Sequence, residues 1–284
     1  MNPIAALTQK EVMDLLPGLA KLDRDLVKAL KSQALVLTRS DIRYLVDLYY
    51  QLQHLRCGAD NQKRSQPQEP TELIEWVATQ ARVFEANIKR ALDAWTKTHA
   101  PSIWARSVKG IGPVLAAGLA AHIDLKIATN VSKIWRFAGL DPTIVWKKKQ
   151  KRPYNARLKV LCWKIGDSFV KLSNTKSYYG ILYRERKKLE VERNETGEFA
   201  AQAENALKAQ KNLSAAQKKT YADGKLPPSR LDLRARRYAV KLFLSHYFEV
   251  SYEDQHHMPP PRPWIVEQGH SKYVSHKHVL ELEK

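Results

Sequence analysis

Thr71–His99 carries the longest helical signal in the chain, with apolar residues at Leu73, Trp76, Val77, Ala81, Phe84, Ile88, Ala91, Leu92 and Trp95. That spacing fits 3.5 or 3.6 residues per turn and demands a helix that buries one stripe. Asp41–Arg56 repeats the pattern with Ile42, Leu45, Val46, Tyr49, Leu52 and Leu55, and Ser40 is the expected N-cap. Between them, Gly58–Pro70 (GADNQKRSQPQEP) reads as a polar loop. Two such helices joined by a loop form an antiparallel hairpin or coiled coil. The stripe then serves either packing inside the hairpin or a dimerising arm.

Few segments elsewhere alternate apolar and polar residues as a strand does, so the expected fold class is all-α. Met1–Lys31 reads as short amphipathic helices interrupted at Pro17-Gly18. Beyond the hairpin, short helices are expected at Ser102–Val108, Pro113–Ala121, Val131–Phe137 and Asn155–Leu172. Asn194–Ser229, rich in Ala, Lys, Gln and Asn, reads as a solvated insertion, partly helical at Glu198–Lys219. Arg230–Val250 is a basic amphipathic helix, and the tail after Tyr252 holds PPPRPW. The expected organisation is a helical region at 1–100, a basic domain at 101–252 interrupted by 194–229, and a Pro- and His-containing tail at 253–284.

Charge narrows the partners. Forty-eight Lys and Arg face 29 Asp and Glu, a net charge of +19. The first 100 residues contribute only +2 of it. Within Thr143–Glu190 there are 14 basic residues against Asp167, Glu185 and Glu190. A solvated helical face mixes signs, so this segment is the expected footprint of a polyanion: nucleic acid first, an anionic membrane surface second. The two cysteines, Cys57 and Cys162, are far apart and imply neither a disulfide framework nor a zinc ribbon. A signal peptide is not recognisable, and no run of about 18 apolar residues exists. A cytoplasmic protein is expected.

Two short stretches stand out within the basic domain. In Ser107–Ile123, SVKGIGPVLAAGLAAHI, Gly110 and Gly112 separate two helical segments and Pro113 follows at once. This is the pattern of a helix-hairpin-helix turn. Glycine permits positive φ, Pro113 suits the first helical position, and the first-turn amides of the second helix attract a phosphate oxygen. Lys109 adds a full charge. The alternative is a turn made for packing alone. Ala116, Ala117, Gly118, Ala120 and Ala121 imply a close neighbouring helix in either case.

The second stretch, Ile144–Lys164, interleaves cations with aromatics. Lys147, Lys148, Lys149, Lys151, Arg152, Arg157, Lys159 and Lys164 are candidate phosphate contacts, and Trp146 and Tyr154 are candidate stacking residues. Arg184, Arg186 and Lys187 extend the charge, as do Arg234, Arg236 and Arg237 near the start of the last long helix. Trp163 and Tyr183 are expected in the core.

Chemistry is not recognisable. No strand-borne Asp backed by further carboxylates marks a nuclease, and Ser132, Ser168 and Ser173 lack an evident activating partner. A phosphate-binding GxxxxGK[ST] loop is absent. His256, His257, His270, His276 and His278 match no zinc spacing and are expected as surface or packing residues. The expectation is a non-catalytic protein with no cofactor and no metal. A metal-dependent nuclease with an unrecognised site is the alternative from the enzyme class.

WARSVKGIGPVLAAGLAAHI followed by IWRFAGLDPTI resembles the C-terminal domain of bridge-RNA-guided insertion-sequence transposases. In that family a long helix precedes GIGP and a motif of the AGL-P kind follows, here Phe137-Ala138-Gly139-Leu140-Asp141-Pro142. SYYGILYRERKK and ARRYAVKLFLSHY are similar to later helices of that domain. The resemblance covers roughly residues 70–250. The chain departs from the family in two ways: the N-terminal RNase H-like pattern is missing, and Thr143–Lys149 contains no serine where the nucleophile follows the motif. The same region resembles the Nop domain of box C/D ribonucleoproteins, and the nuclease-free Tas proteins of TIGR systems. That resemblance implies a compact Nop-like helical domain and a homodimer through the coiled-coil hairpin. It also implies a guide RNA, a DNA target, a possible separate nuclease, and a prokaryotic or phage-encoded mobile element. The protein would sit on the nucleoid when bound to DNA. A transposase-derived protein that binds duplex DNA without RNA is the alternative.

Overall fold

A computed structural model describes residues 34–282 except 67, 69–70, 145, 148, 210–211 and 262–273, and before them only Asp25, Lys28, Ala29 and Ser32. Most of the expected helices in Met1–Lys31, the candidate phosphate contact Lys148, the Arg262–Trp264 part of PPPRPW and His270 lie outside the described residues. The described residues are all-helical, with no strand. The chain divides into two units, Met1–His99 and Ala100–Lys284.

In the first unit, α1 (Arg39–Ser65) and α2 (Thr71–Thr96) pack as an antiparallel hairpin. Thr38, not Ser40, is the N-cap of α1. Its hydroxyl accepts from the Asp41 amide while the Asp41 carboxylate accepts from Thr38 N, a reciprocal box that satisfies two end groups. Gly58–Ser65, expected as the start of a loop, is helical, since α1 continues to Ser65. The extra turns find partners: Asp60 pairs with Arg82 at 2.6 Å and Lys63 with Glu75 at 2.5 Å, while Arg56, just before them, pairs with Glu85 at 2.7 Å. Polar composition here marks a solvated helix edge, not a break. Ile42, Val46, Ala78, Ala81, Ile88, Leu92 and Trp95 fill the seam. Trp95 Nε1 donates to the Leu37 carbonyl at 3.2 Å and closes the base.

The second unit contains α3 (Ala100–Ser107), α4 (Pro113–His122), α5 (Val131–Phe137), α6 (Ala156–Lys171), α7 (Tyr178–Glu195), α8 (Ala200–Ala209), α9 (Ala215–Ala222), α10 (Pro228–His256) and α11 (His276–Leu282). Helix α10 is the axis, touching α3, α5, α6, α7 and α11. Its core face presents Ala235, Ala239, Val240, Phe243, Leu244 and Tyr247. Phe243 stacks on Trp104 at 5.6 Å and meets Phe169 at 5.7 Å; Phe169 stacks on Tyr179 at 4.9 Å. These rings bury a large apolar area in edge-to-face and offset arrangements.

Two regions differ from the sequence expectation. Residues 194–229 are largely exposed and helical over α8 and α9, as expected, but they also close a small core in which Phe199, Ala203, Tyr221 and Leu226 pack with Leu231 of α10. Asn194 ties it down, donating from Nδ2 to the Leu226 carbonyl at 3.1 Å and accepting from Leu226 N at 2.8 Å. The second is the C-terminal tail, which folds back onto the second unit. The His276 carbonyl accepts from Trp104 Nε1 at 3.2 Å, and buried His276 lies 3.1 Å from Glu249 Oε2 through Nδ1. Apolar spacing alone does not reveal either closure, because each depends on a few aromatic and polar contacts distant in sequence.

Candidate nucleic-acid interface

The glycine turn sits on α6. Gly110 has φ of +91°, which L side chains rarely adopt, and its carbonyl accepts from Ser168 Oγ at 2.8 Å. A Cβ there would lie 2.6 Å from Ser168 Oγ. Gly112 is the N-cap of α4 in ordinary extended backbone, with Pro113 at the first helical position. Lys109 Nζ donates to the Lys176 carbonyl at 2.9 Å, so this cation braces the turn against the segment before α7. The small-residue face of α4 packs against α3 and α6, as the alanine cluster implied.

The basic loop hangs from α5 and α6. Gly139 ends α5 with φ of +66°, and the Tyr154 ring lies so close that a Cβ would sit 3.0 Å from its Cγ. Phe137 carbonyl accepts from Asn155 N at 2.8 Å, which pins the loop's two ends together. Asn155 then caps α6, its Oδ1 accepting from Arg157 N and Leu158 N, both at 3.0 Å. That commitment turns its amide nitrogen to His122 Nδ1 at 3.3 Å, so Nδ1 accepts and the ring proton belongs on Nε2. Trp135 Nε1 donates to the Lys241 carbonyl at 2.9 Å and holds α5 on α10.

On this frame Lys147, Lys149 and Lys151 are exposed and form no ion pair among the described residues. Lys149 is left-handed, with φ of 72°, in a turn where Gln150 N donates to the Lys147 carbonyl at 3.2 Å. Trp146 is 41% exposed; its Nε1 donates to the Gln150 carbonyl at 2.8 Å and the Arg152 guanidinium lies 5.7 Å from its ring. Tyr154 packs on Gly139 with Lys159 Nζ 4.3 Å over its ring, so one of its faces is already covered. Arg157 and Lys159 are exposed on α6, Lys164 is half-buried there, and Arg184 is exposed on α7.

Trp163 corrects an expectation. It is 55% exposed on α6 and no core residue. Leu158, Leu161, Cys162, Ile165 and Phe169 occupy the buried side. At 100° per residue Trp163 points well away from them, beside Lys159 and Val160. The helical wheel carries that signal, whereas residue type alone points a tryptophan inward. Tyr183 is buried, as expected. Burial pushes the Cys162 thiol up to about 12 and leaves it inert.

The remaining expected contacts are committed elsewhere. Buried Glu190 accepts from Arg186 Nη2 at 2.5 Å and Arg234 Nε at 2.6 Å. Burial alone would raise its carboxyl, but those guanidiniums outweigh it and hold it below the ordinary value. Asp232 takes the Tyr183 hydroxyl, Lys187 at 3.0 Å and Arg236 at 2.6 Å. Arg237 is half-buried, and burial and the nearby Arg234 charge lower its affinity for a proton. Arg186, Lys187, Arg234 and Arg236 therefore knit α7 to α10, and the sequence does not reveal this because their carboxylate partners are four or more than forty residues away.

Among the described residues no three His, Cys, Asp or Glu side chains converge as a metal site, and no helix is long and apolar enough to cross a membrane. Comparison with known proteins returns no matching family model, curated relative or solved structure.

Proposed function

We infer that the protein binds a structured RNA through the 138–155 loop and the outer face of α6, and that the RNA directs it to DNA by base pairing. One observation carries the binding surface: Trp146 is exposed in the loop that carries Lys147, Lys149, Lys151 and Arg152, and Trp163 is exposed on α6 one turn from Lys159. Exposed indole costs solubility, and a base stacked on it recovers that cost while the cations neutralise phosphate. Duplex DNA offers no free base faces, so stacking platforms favour strands with unpaired bases.

The guide role and the DNA target rest on the resemblance to Nop-domain and Tas proteins. The protein reads backbone and shape while the RNA reads sequence. A homodimer through α1 and α2 belongs to the same reading, supported by exposed Leu73, Trp76 and Phe84 on α2. The proposed role is binding without catalysis.

The test is to express the protein with its neighbouring non-coding DNA, purify it at moderate salt and sequence the retained nucleic acid. A single family of short RNAs supports the reading. Random cellular RNA, or duplex DNA bound equally well without RNA, overturns it in favour of a plain DNA-binding protein.

A further inference from the structure

A cavity of about 450 Å³ opens on the second unit between the end of α4, the 123–128 segment and α5. That volume is within the roughly 300–1,000 Å³ of ordinary small-ligand sites. Ile127, Phe137 and Pro153 line it with flat or apolar surface, and Lys133 and Arg136 stand on the same wall. Phe137 is 43% exposed. Asp124 is the one acidic lining residue, and its Oδ1 accepts from Lys126 N at 3.0 Å, within its own loop. The cavity therefore combines an apolar slot for a planar ring with two cations for an attached anion.

Its position decides what planar anion reaches it. Pro153 belongs to the loop that carries Lys147, Lys151, Arg152 and Tyr154, and Phe137 is hydrogen-bonded to the loop's far end at Asn155. A strand that follows this loop to Arg152 and Tyr154 reaches Pro153 at the cavity wall. The wall is built before any ligand arrives: His122 is fixed by Asn155, and the Asn130 side chain caps α5 by accepting from Lys133 N at 2.9 Å.

We propose that this cavity takes one unstacked nucleobase of the bound RNA, with Lys133 and Arg136 on its flanking phosphates. The proposal rests on the RNA-binding reading. A base leaving the stack costs a few kcal/mol, least in a loop or bulge, so the cavity selects RNAs that present an unpaired base at this register.

The experiment titrates the full chain, methyl-labelled at isoleucine, with AMP, GMP, CMP and UMP, and with ribose 5-phosphate as the control lacking a base. The expected result is a saturable shift of the Ile127 methyl with at least one nucleotide and at least tenfold weaker response to ribose 5-phosphate. No shift, or an equal response to ribose 5-phosphate, overturns the proposal. Ala128→Trp, at the cavity wall, is expected to abolish the shift and weaken binding of the co-purified RNA about tenfold. Phe137→Ala does the same if the larger side chain prevents folding. RNA affinity unchanged by both variants also overturns it. Nucleotides seating in the cavity of a protein that retains no RNA would overturn the RNA-binding reading and, with it, the assignment of the base to a bound RNA, whereas RNA retained without any nucleotide shift would overturn the cavity assignment alone.

Discussion

The Tyr179 hydroxyl lies 2.6 Å from His246 Nδ1 inside the core of the second unit. His246 Nε2 faces the Val274 carbonyl at 2.8 Å, and a carbonyl only accepts, so Nε2 carries the proton and Tyr179 donates to Nδ1. The chain of three groups joins α7, α10 and the returning tail. Tyr179→Phe leaves a buried acceptor unsatisfied and is expected to cost about 1–3 kcal/mol in urea unfolding.

The same imidazole sets an acid limit. Burial holds the His246 pKa below its ordinary value, against the opposing pull of Glu249 and the Val274 carbonyl. The unfolded chain protonates this histidine below about pH 6.5 while the folded one resists, so the unfolded state binds more protons and stability falls as pH drops through that value. Urea midpoints at pH 7.5 and 5.5 measure the slope. His246→Gln is expected to flatten it, and an unaltered slope would discard the assignment.

Glu190 supports a second, more acidic limit. Its carboxylate is the shared partner of Arg186, Arg193 and Arg234. Glu190→Gln leaves three guanidiniums around a neutral amide and is expected to cost about 3–5 kcal/mol in thermal or urea unfolding. With carboxyls at Glu190 and Asp232 both held low, their contribution is present above the unfolded values near pH 4 and is lost as pH falls below them.

Gly110→Ala tests the turn. The φ of +91° and the Ser168 and Leu172 atoms within 2.7 Å of a new Cβ oppose it together. A loss of about 1–3 kcal/mol is expected. A neutral result would mean that the turn relaxes away from α6.

Binding tests separate charge from stacking. Replacing Lys147, Lys149 and Lys151 with Ala is expected to lower the salt dependence of single-stranded RNA affinity by about two, at roughly 0.7 per lost phosphate contact. Trp163→Ala is expected to cost about 1–3 kcal/mol at unchanged salt slope. If Trp163→Ala binds like the parent, the outer face of α6 is not the strand's path.

How much was legible in the sequence follows from the range of the forces involved. Helical periodicity is local, so the start of α2 at Thr71, Val131–Phe137 and the α6 boundaries at Asn155 and Leu172 are readable from residue spacing and caps, while the end expected at His99 falls three residues earlier, at Thr96. The all-α class and the lopsided charge came from the sequence alone, because composition and period need no partner. Tertiary structure decided which cations are available. Arg186 and Arg234 look like Lys147 and Lys151 in the sequence, yet Glu190 claims the first two across α7 and α10 and nothing described claims the others. It also decided that Phe199 and Tyr221 close a small core with Leu231 of α10, and that His276 returns to Glu249. Each of these depends on a burial or ion-pair partner set by chain folding rather than by neighbours along the sequence.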